Sequence, residues 1–190
     1  MRTQMTLAAA ALLAAVALLG WRTREGKLLC DANAQPSRRE ATHPVGDASF
    51  KAADRLAIVN LVGAYCQACD AAKLDDLMSL FTDKADFKYV YRDKTRIESL
   101  AAFSRVLKER RKFYEHNKWQ RRHVTSSHVF TNQSDREAEG RAYIHVFLST
   151  DGGPPSAVCS GVYEFTAVRQ GSVWKFSRFL CRQDQFDSGF

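Results

Sequence analysis

The sequence has no HxxxH pair, and no CxxC pair at a zinc-binding spacing apart from Cys66-x-x-Cys69. That pair falls inside a helical pattern, where two thiols serve packing, so no metal site is expected. No internal repeat is present. Five cysteines leave at least one unpaired, which excludes a fully bridged framework. No nucleic-acid motif accompanies the one strongly basic stretch. There Arg105, Lys108, Arg110, Arg111, Lys112, Lys118, Arg121 and Arg122 stand against only Glu109 and Glu115, within a chain of net charge +7. Such a patch suits an acidic surface, but without a motif it reads as a solvated helix face, and nucleic acid is not an expected partner.

A cleavage signal is also missing. Arg2 precedes an apolar run over residues 5–20, and Trp21, Arg22 and Arg24 follow. The run reads as an export signal or a signal anchor, and is slightly short for a spanning helix of about 20 residues. Leu18-Leu19-Gly20 fails the small-x-small rule at its first position, and Leu29 before Cys30 makes a poor lipoprotein box. Residues 1–24 are therefore read as a membrane anchor, with cleavage and export to the periplasm or outside as the alternative. Residues 25–49, with Pro36 and Pro44 and no periodicity, are a linker. Residues 50–190 form the domain, and 190 residues with 45% hydrophobic content allow one full core.

What is present organises itself around residues 58–81. Ile58, Val59, Leu61, Val62, Tyr65, Cys66 and Cys69 make a helix apolar on nearly every side, and such a helix is buried. Asp70 ends it, so a carboxylate is delivered to the edge of a core. Leu74, Leu77, Leu80 and Phe81 mark a second helix, with Asp75 and Asp76 in its first turn suiting the dipole. Residues 86–91 alternate as a strand with aromatics, including Tyr89, on one face. Ile97, Leu100, Phe103, Leu107 and Tyr114 then mark a long helix. Four strands follow, near 123–131, 138–149, 157–168 and 173–184, separated by turn signals. Helices first and an antiparallel meander afterwards predict an α+β fold with helices packed on one sheet face.

Turn positions predict the strand register. A turn at Gln170-Gly171 sets Tyr163 opposite Arg178 and Phe165 opposite Phe176. A turn centred on Gly153 sets His145 opposite Gly161 and Tyr143 opposite Tyr163. A turn centred on Ser134 sets His123 opposite His145. One face then collects His123, Tyr143, His145, Tyr163, Trp174, Phe176 and Arg178, a mixture of aromatics and polar heads that suits a ligand pocket. Cys159 and Cys181 fall one residue out of this register, on opposite faces unless a bulge intervenes.

Asp70, His123 and His145 are the acid–base candidates, because histidine gives or takes a proton near neutral pH and a carboxylate can orient it. Tyr65 or Tyr163 could donate to a developing oxyanion. Tyr65 and Asp70 are about 140° apart on an ideal helix, so both reach one cavity only if the helix loosens near Cys69. The structural alternatives are that Asp70 caps the helix at Leu74 and that a buried histidine simply satisfies the core.

These motifs, in this order, resemble the SnoaL-like family of the nuclear transport factor 2-like superfamily. The resemblance rests on residues 58–70, on Leu74 to Phe81 with Thr82-Asp83-Lys84-Ala85, on Arg122-His123 opening a strand, and on Gly161-x-Tyr163-Glu164-Phe165 with Trp174-Lys175-Phe176. It implies a cone-shaped curved antiparallel sheet closed by three helices around a pocket, a cystatin-like α+β barrel. Members include polyketide cyclases, scytalone dehydratase and bile acid 7α-dehydratase, which need no cofactor, and ring-hydroxylating dioxygenase small subunits, which are not catalytic. Family catalytic positions match Asp70 and His123, and the bile acid dehydratase spacing of Tyr before Asp matches Tyr65. Scytalone dehydratase has Tyr directly before its Asp, where this chain has Cys69, which argues against that substrate.

The resulting expectation is a cofactor-independent dehydratase, cyclase or isomerase acting on a hydrophobic polycyclic or polyketide-like molecule. Asp70, His123 and Tyr65 would be catalytic. His145, Tyr143, Tyr163, Tyr89, Trp174, Phe176 and Arg178 would bind substrate. The alternative is a non-catalytic ligand-binding or assembly module. Expected partners are a hydrophobic small molecule, the membrane through the N-terminal segment, and further copies of the chain as a homodimer or homotrimer.

Overall fold

The computed structural model describes residues 51–91 and 94–184. The apolar run at 5–20 and the linker at 25–49 lie outside them. No helix among the described residues is long and apolar enough to cross a membrane.

Helix α1 (Ala52–Ala71) leads to a short α2 (Leu74–Ser79), then β1 (Phe81–Tyr91), β2 (Lys94–Ile97), α3 (Leu100–Asn117) and four long strands. These are β3 (Trp119–Gln133), β4 (Glu137–Thr150), β5 (Ser156–Gln170) and β6 (Val173–Gln183). Helix α1 stops where Ala72 turns left-handed at φ 45° and its N–H reaches back to the last helical carbonyls. Helix α3 starts at Ser99, whose hydroxyl accepts from the Ala102 N–H at 3.1 Å.

The six strands form one unclosed sheet in the order β2-β1-β6-β5-β4-β3. All neighbours are antiparallel except β1 and β6, which run parallel. The connection from β1 to β6 passes through every other strand of the sheet, so this pair needs no hairpin. Helix α1 packs across the concave face against β3 and β6.

The interior of the curve is filled by aromatic rings. Tyr65 lies 4.4 Å from the Phe179 ring and meets Tyr163 edge-on at 5.5 Å. Phe87 stacks on Phe103 at 4.8 Å, and Phe176 meets Phe179 at 4.9 Å. Offset and edge-on pairs of this kind add to the stabilisation from area burial.

The register corrects the placement of β4. Tyr143 lies opposite Val162 and His145 opposite Ser160, one residue from the expected pairing. A one-residue shift turns every side chain of a strand to the other face. Tyr143 and His145 therefore point outward and are exposed, while Ala142, Ile144 and Val146 fill the core. Strand β3 is shifted by one as well, placing His123 opposite Val146. The two shifts cancel, so His123 and Tyr163 both keep the concave face.

Strand β6 is corrected by a bulge. The tight turn is Gly171-Ser172, with Gly171 at φ 64°, and Trp174 and Phe176 point inward. Between Phe176 and Arg178 an extra residue, Ser177, enters β6, so Arg178 pairs with Thr166 and faces solvent. The same bulge brings Cys181 opposite Tyr163, on the inner face with Cys159, and both thiols are free. Gly161 is required where β5 meets β6, since a Cβ there would lie 2.2 Å from the Arg182 carbonyl oxygen.

Asp54 anchors the start of α1 to the far end of the sheet. Its Oδ1 accepts from Arg169 Nη2 at 2.5 Å and from the Trp174 indole N–H at 3.1 Å, and Asp54 is 5% exposed. Removing the acceptor leaves the buried Trp174 N–H without a partner and releases the partly exposed Arg169 guanidinium. Asp54→Ala is expected to cost about 1–3 kcal/mol, measured as a lowered urea midpoint with an unchanged slope.

Candidate functional site

Asp70 sits in the last turn of α1, where the chain leaves the core. Helix α2 begins after Lys73 with no side-chain cap, so Asp70 does not serve as its cap. Instead the carboxylate turns to the first part of β3. Its Oδ2 accepts the backbone N–H of His123 at 2.9 Å, and its Oδ1 lies 2.5 Å from His123 Nδ1. Two contacts to one residue fix both the carboxylate and the ring. The side chains are 9% and 7% exposed respectively.

Burial pushes the His123 pKa below the ordinary histidine value, against the hydrogen bond to the Asp70 carboxylate, which raises it. Arg121 and Arg110 push it further down. The imidazole is therefore neutral near neutral pH, and the contact is a hydrogen bond in which Nδ1–H donates to the carboxylate. Nε2 is then left as the basic nitrogen.

This shift has a consequence for stability. Above about pH 6.5, the ordinary histidine value, native and unfolded states are both neutral at this position. Below it the unfolded chain takes a proton that the native ring resists, so stability falls as the pH drops through the folded pKa. Urea melts at pH 7.5 and 5.5 are the check. The stability advantage of wild type over His123→Gln should shrink at the lower pH.

Asp70 lines an open cleft of about 390 Å³ between the end of α1, α3 and the start of β3. Leu107, Arg110 and Tyr114 come from one face of α3, at helical spacing. Trp119 and Arg121 come from β3. His123 lies just behind this wall, reached through Asp70. Cys69 also borders the cleft, but burial pushes its thiol up to about 12, so it is not a thiolate near neutral pH.

Other residues singled out from the sequence are placed elsewhere. Helix α1 does not loosen at Cys69, and Tyr65 stays in the aromatic interior, hydrogen-bonded to Cys69 and absent from the cleft walls. Burial raises its phenol well above the ordinary value. Tyr163 and Phe176 belong to the same packed interior. Tyr89 donates to the buried Gln183, and Trp174 to Asp54. Tyr143, His145 and Arg178 lie on the outer face, for the register reasons above. The cleft residues Leu107, Arg110, Tyr114, Trp119 and Arg121 were not singled out as a site. Their signal was the basic stretch itself, where Arg110 and Arg121 turn inward among cations that are mostly exposed.

Among the described residues, no three His, Cys, Asp or Glu side chains cluster so as to hold a metal ion.

A family model described as a SnoaL-like domain matches residues 51–179. No curated protein sequence matches the chain significantly. Among solved structures, ActVI-ORFA from Streptomyces coelicolor is similar over 70% of this chain and 98% of its own, with a TM-score of 0.59 and 18% identity. A provisionally assigned scytalone dehydratase from Novosphingobium aromaticivorans is similar over 71% and 87%, with a TM-score of 0.58 and 20% identity. The β subunit of a provisionally assigned aromatic-ring-hydroxylating dioxygenase from the same organism is similar over 70% and 91%, with a TM-score of 0.57 and 18% identity. Identities this low establish a shared cystatin-like fold.

Proposed function

The chain belongs to the SnoaL-like domain family, and from that premise we propose that it is a cofactor-independent lyase or isomerase, a dehydratase or cyclase acting on a hydrophobic polycyclic or polyketide-like small molecule. The observation that carries this reading is the 2.5 Å contact between Asp70 and His123 at the edge of the cleft. A general base needs a proton-accepting group held within hydrogen-bond reach of its orienting partner. In a dehydration, the pair takes the proton from a carbon beside a carbonyl. The C–H electrons become the new C=C bond, the C–O bond breaks, and the pair returns its proton to the departing hydroxide as water. Tyr65 has no part in this reading, because its hydroxyl is turned to Cys69. A structural neighbour named as a scytalone dehydratase supports the reaction class.

One observation favours a second reading, a non-catalytic binding or assembly module. The cone interior around Tyr65 is occupied by protein rings, and a neighbour is a dioxygenase β subunit. The two readings separate in one assay. The full chain is incubated with a panel of hydroxysteroids and aromatic polyketides, and products are followed by mass spectrometry. Loss of 18 mass units, or an isomeric product, supports the enzyme. Tight binding without conversion of any bound panel member supports the module.

We also propose, from the apolar run over residues 5–20, that this segment holds the domain at a membrane. Fractionated cells expressing the full chain should retain it in the membrane pellet with an intact N-terminus. A soluble product starting after Gly20 would show a cleaved signal instead.

A further inference from the structure

Helix α3 has two unlike sides. Phe103, Leu107 and Tyr114 are buried, and the helix packs on β1 and β3. Arg105, Lys108 and Lys112, at i, i+3 and i+7, form an exposed stripe on the other side. Arg111 on the flank of the stripe and Lys118 just past the helix are exposed as well. Two acids share this surface, and each pairs with one cation. Glu109 meets Lys112 at 2.9 Å, and Glu115 meets Arg111 at 2.6 Å. Arg105, Lys108 and Lys118 add positive charge that these two acids do not offset.

The surface also carries aromatic rings. Phe113 is 47% exposed, and its ring meets that of Trp119 at a right angle, with centroids 5.1 Å apart. Trp119, Arg111, Glu115 and Lys118 belong in turn to the walls of the cleft beside Asp70. The aromatic pair therefore stands at the rim of the cleft, next to the basic stripe. Rings among long cationic side chains suit the boundary between lipid headgroups and acyl chains. The rings enter the apolar side, while lysine and arginine stems reach back to the phosphates.

We propose that this face of α3 docks on a bilayer carrying anionic phospholipids, with Phe113 and Trp119 at the lipid surface and the cleft opening beside them. A hydrophobic substrate dissolved in the bilayer would then reach Asp70 without passing through bulk water. Charge complementarity selects an anionic surface over a neutral one. The apolar run over residues 5–20 selects a bilayer over other polyanions. A tether makes docking intramolecular, so a weak attraction is sufficient. The assignment rests on the anchor reading of that run, but its own content is a contact made by the folded domain.

The test is fluorescence quenching of the full chain carrying Trp21→Phe, with bilayers of brominated phosphatidylcholine made with or without phosphatidylglycerol. Of the two remaining indoles, Trp174 is buried beside Asp54, so bromine in the bilayer reports Trp119. Emission should be quenched when phosphatidylglycerol is present and should recover in high salt. Neutral bilayers should leave it unquenched. Arg105→Gln combined with Lys108→Gln, both at exposed positions, should lower the ratio of docked to undocked domain by about tenfold or more. Phe113→Ser should weaken the quenching as well. Recovery of the chain with neutral vesicles tests the anchor separately. A chain held by vesicles whose Trp119 responds equally to anionic and neutral bilayers would overturn the docking face and leave the anchor standing. A chain that neutral vesicles do not hold would remove the anchor, and added anionic vesicles would still decide the face. Quenching that survives the double substitution would also overturn it. A salt-sensitive change in Trp119 emission with a single-stranded oligonucleotide, and none with anionic bilayers, would assign the face to nucleic acid instead.

Discussion

Asp70→Asn and His123→Ala are each expected to lower turnover by about 10²–10⁴-fold, the range for loss of a general acid or base. Asparagine keeps the shape of Asp70 but cannot offer His123 a charged acceptor, so a protonated imidazole loses its stabilising partner. Alanine at 123 removes the proton carrier. The double mutant should be little slower than the slower single, because groups that act as a unit do not contribute additively. Wild-type activity should follow a bell-shaped pH profile whose limbs belong to the pair. Folding should survive both changes, since neither empties a large apolar volume. Steady-state rates on whichever substrate the panel identifies are the measurement. Wild-type rates in both single mutants would replace the enzyme reading with the binding module.

Phe179→Ala is expected to destabilise the domain by about 3–5 kcal/mol, the usual cost of emptying a buried phenylalanine site. Phe179 is fully buried, and its ring touches Tyr65, Phe81, Phe87, Tyr163 and Phe176. Neighbouring rings on four different elements cannot all move in to fill the gap. The loss should appear as a lower urea midpoint in equilibrium unfolding followed by circular dichroism. A cost below about 1 kcal/mol would mean that the interior relaxes far more than such a packed cluster allows. This change lies apart from the cleft, so it measures the core and leaves the dyad geometry to the first experiment.

Local chemistry along the chain determined much of this protein before any contact was known. The apolar run of α1 announces a buried helix, and its end at Asp70 announces a carboxylate at the core's edge. The Ser134, Gly153 and Gly171 regions announce the turns of a meander. These features are legible because each depends on residues near in sequence. The resemblance matches Asp70 and His123 to one family site, and His123 keeps its face because two one-residue register shifts cancel across β3, β4 and β5. The strand between them had no such protection, and Tyr143 and His145 came out on the solvent side.

Only the tertiary structure decided the rest. Turn length sets which of two faces a strand presents, and a difference of one residue inverts it. The Ser177 bulge that expels Arg178 is a feature of the pairing between β5 and β6, which no local pattern encodes. Whether an inward aromatic lines a cavity or fills one depends on the side chains arriving from other elements. Tyr65, Tyr163 and Phe176 pack into one buried cluster. Arg110 and Arg121 lie in the same basic stretch as their exposed neighbours. Only the packing of α3 against the start of β3 turned those two toward Asp70, because a helix and a strand in contact bury just the side chains on their facing sides.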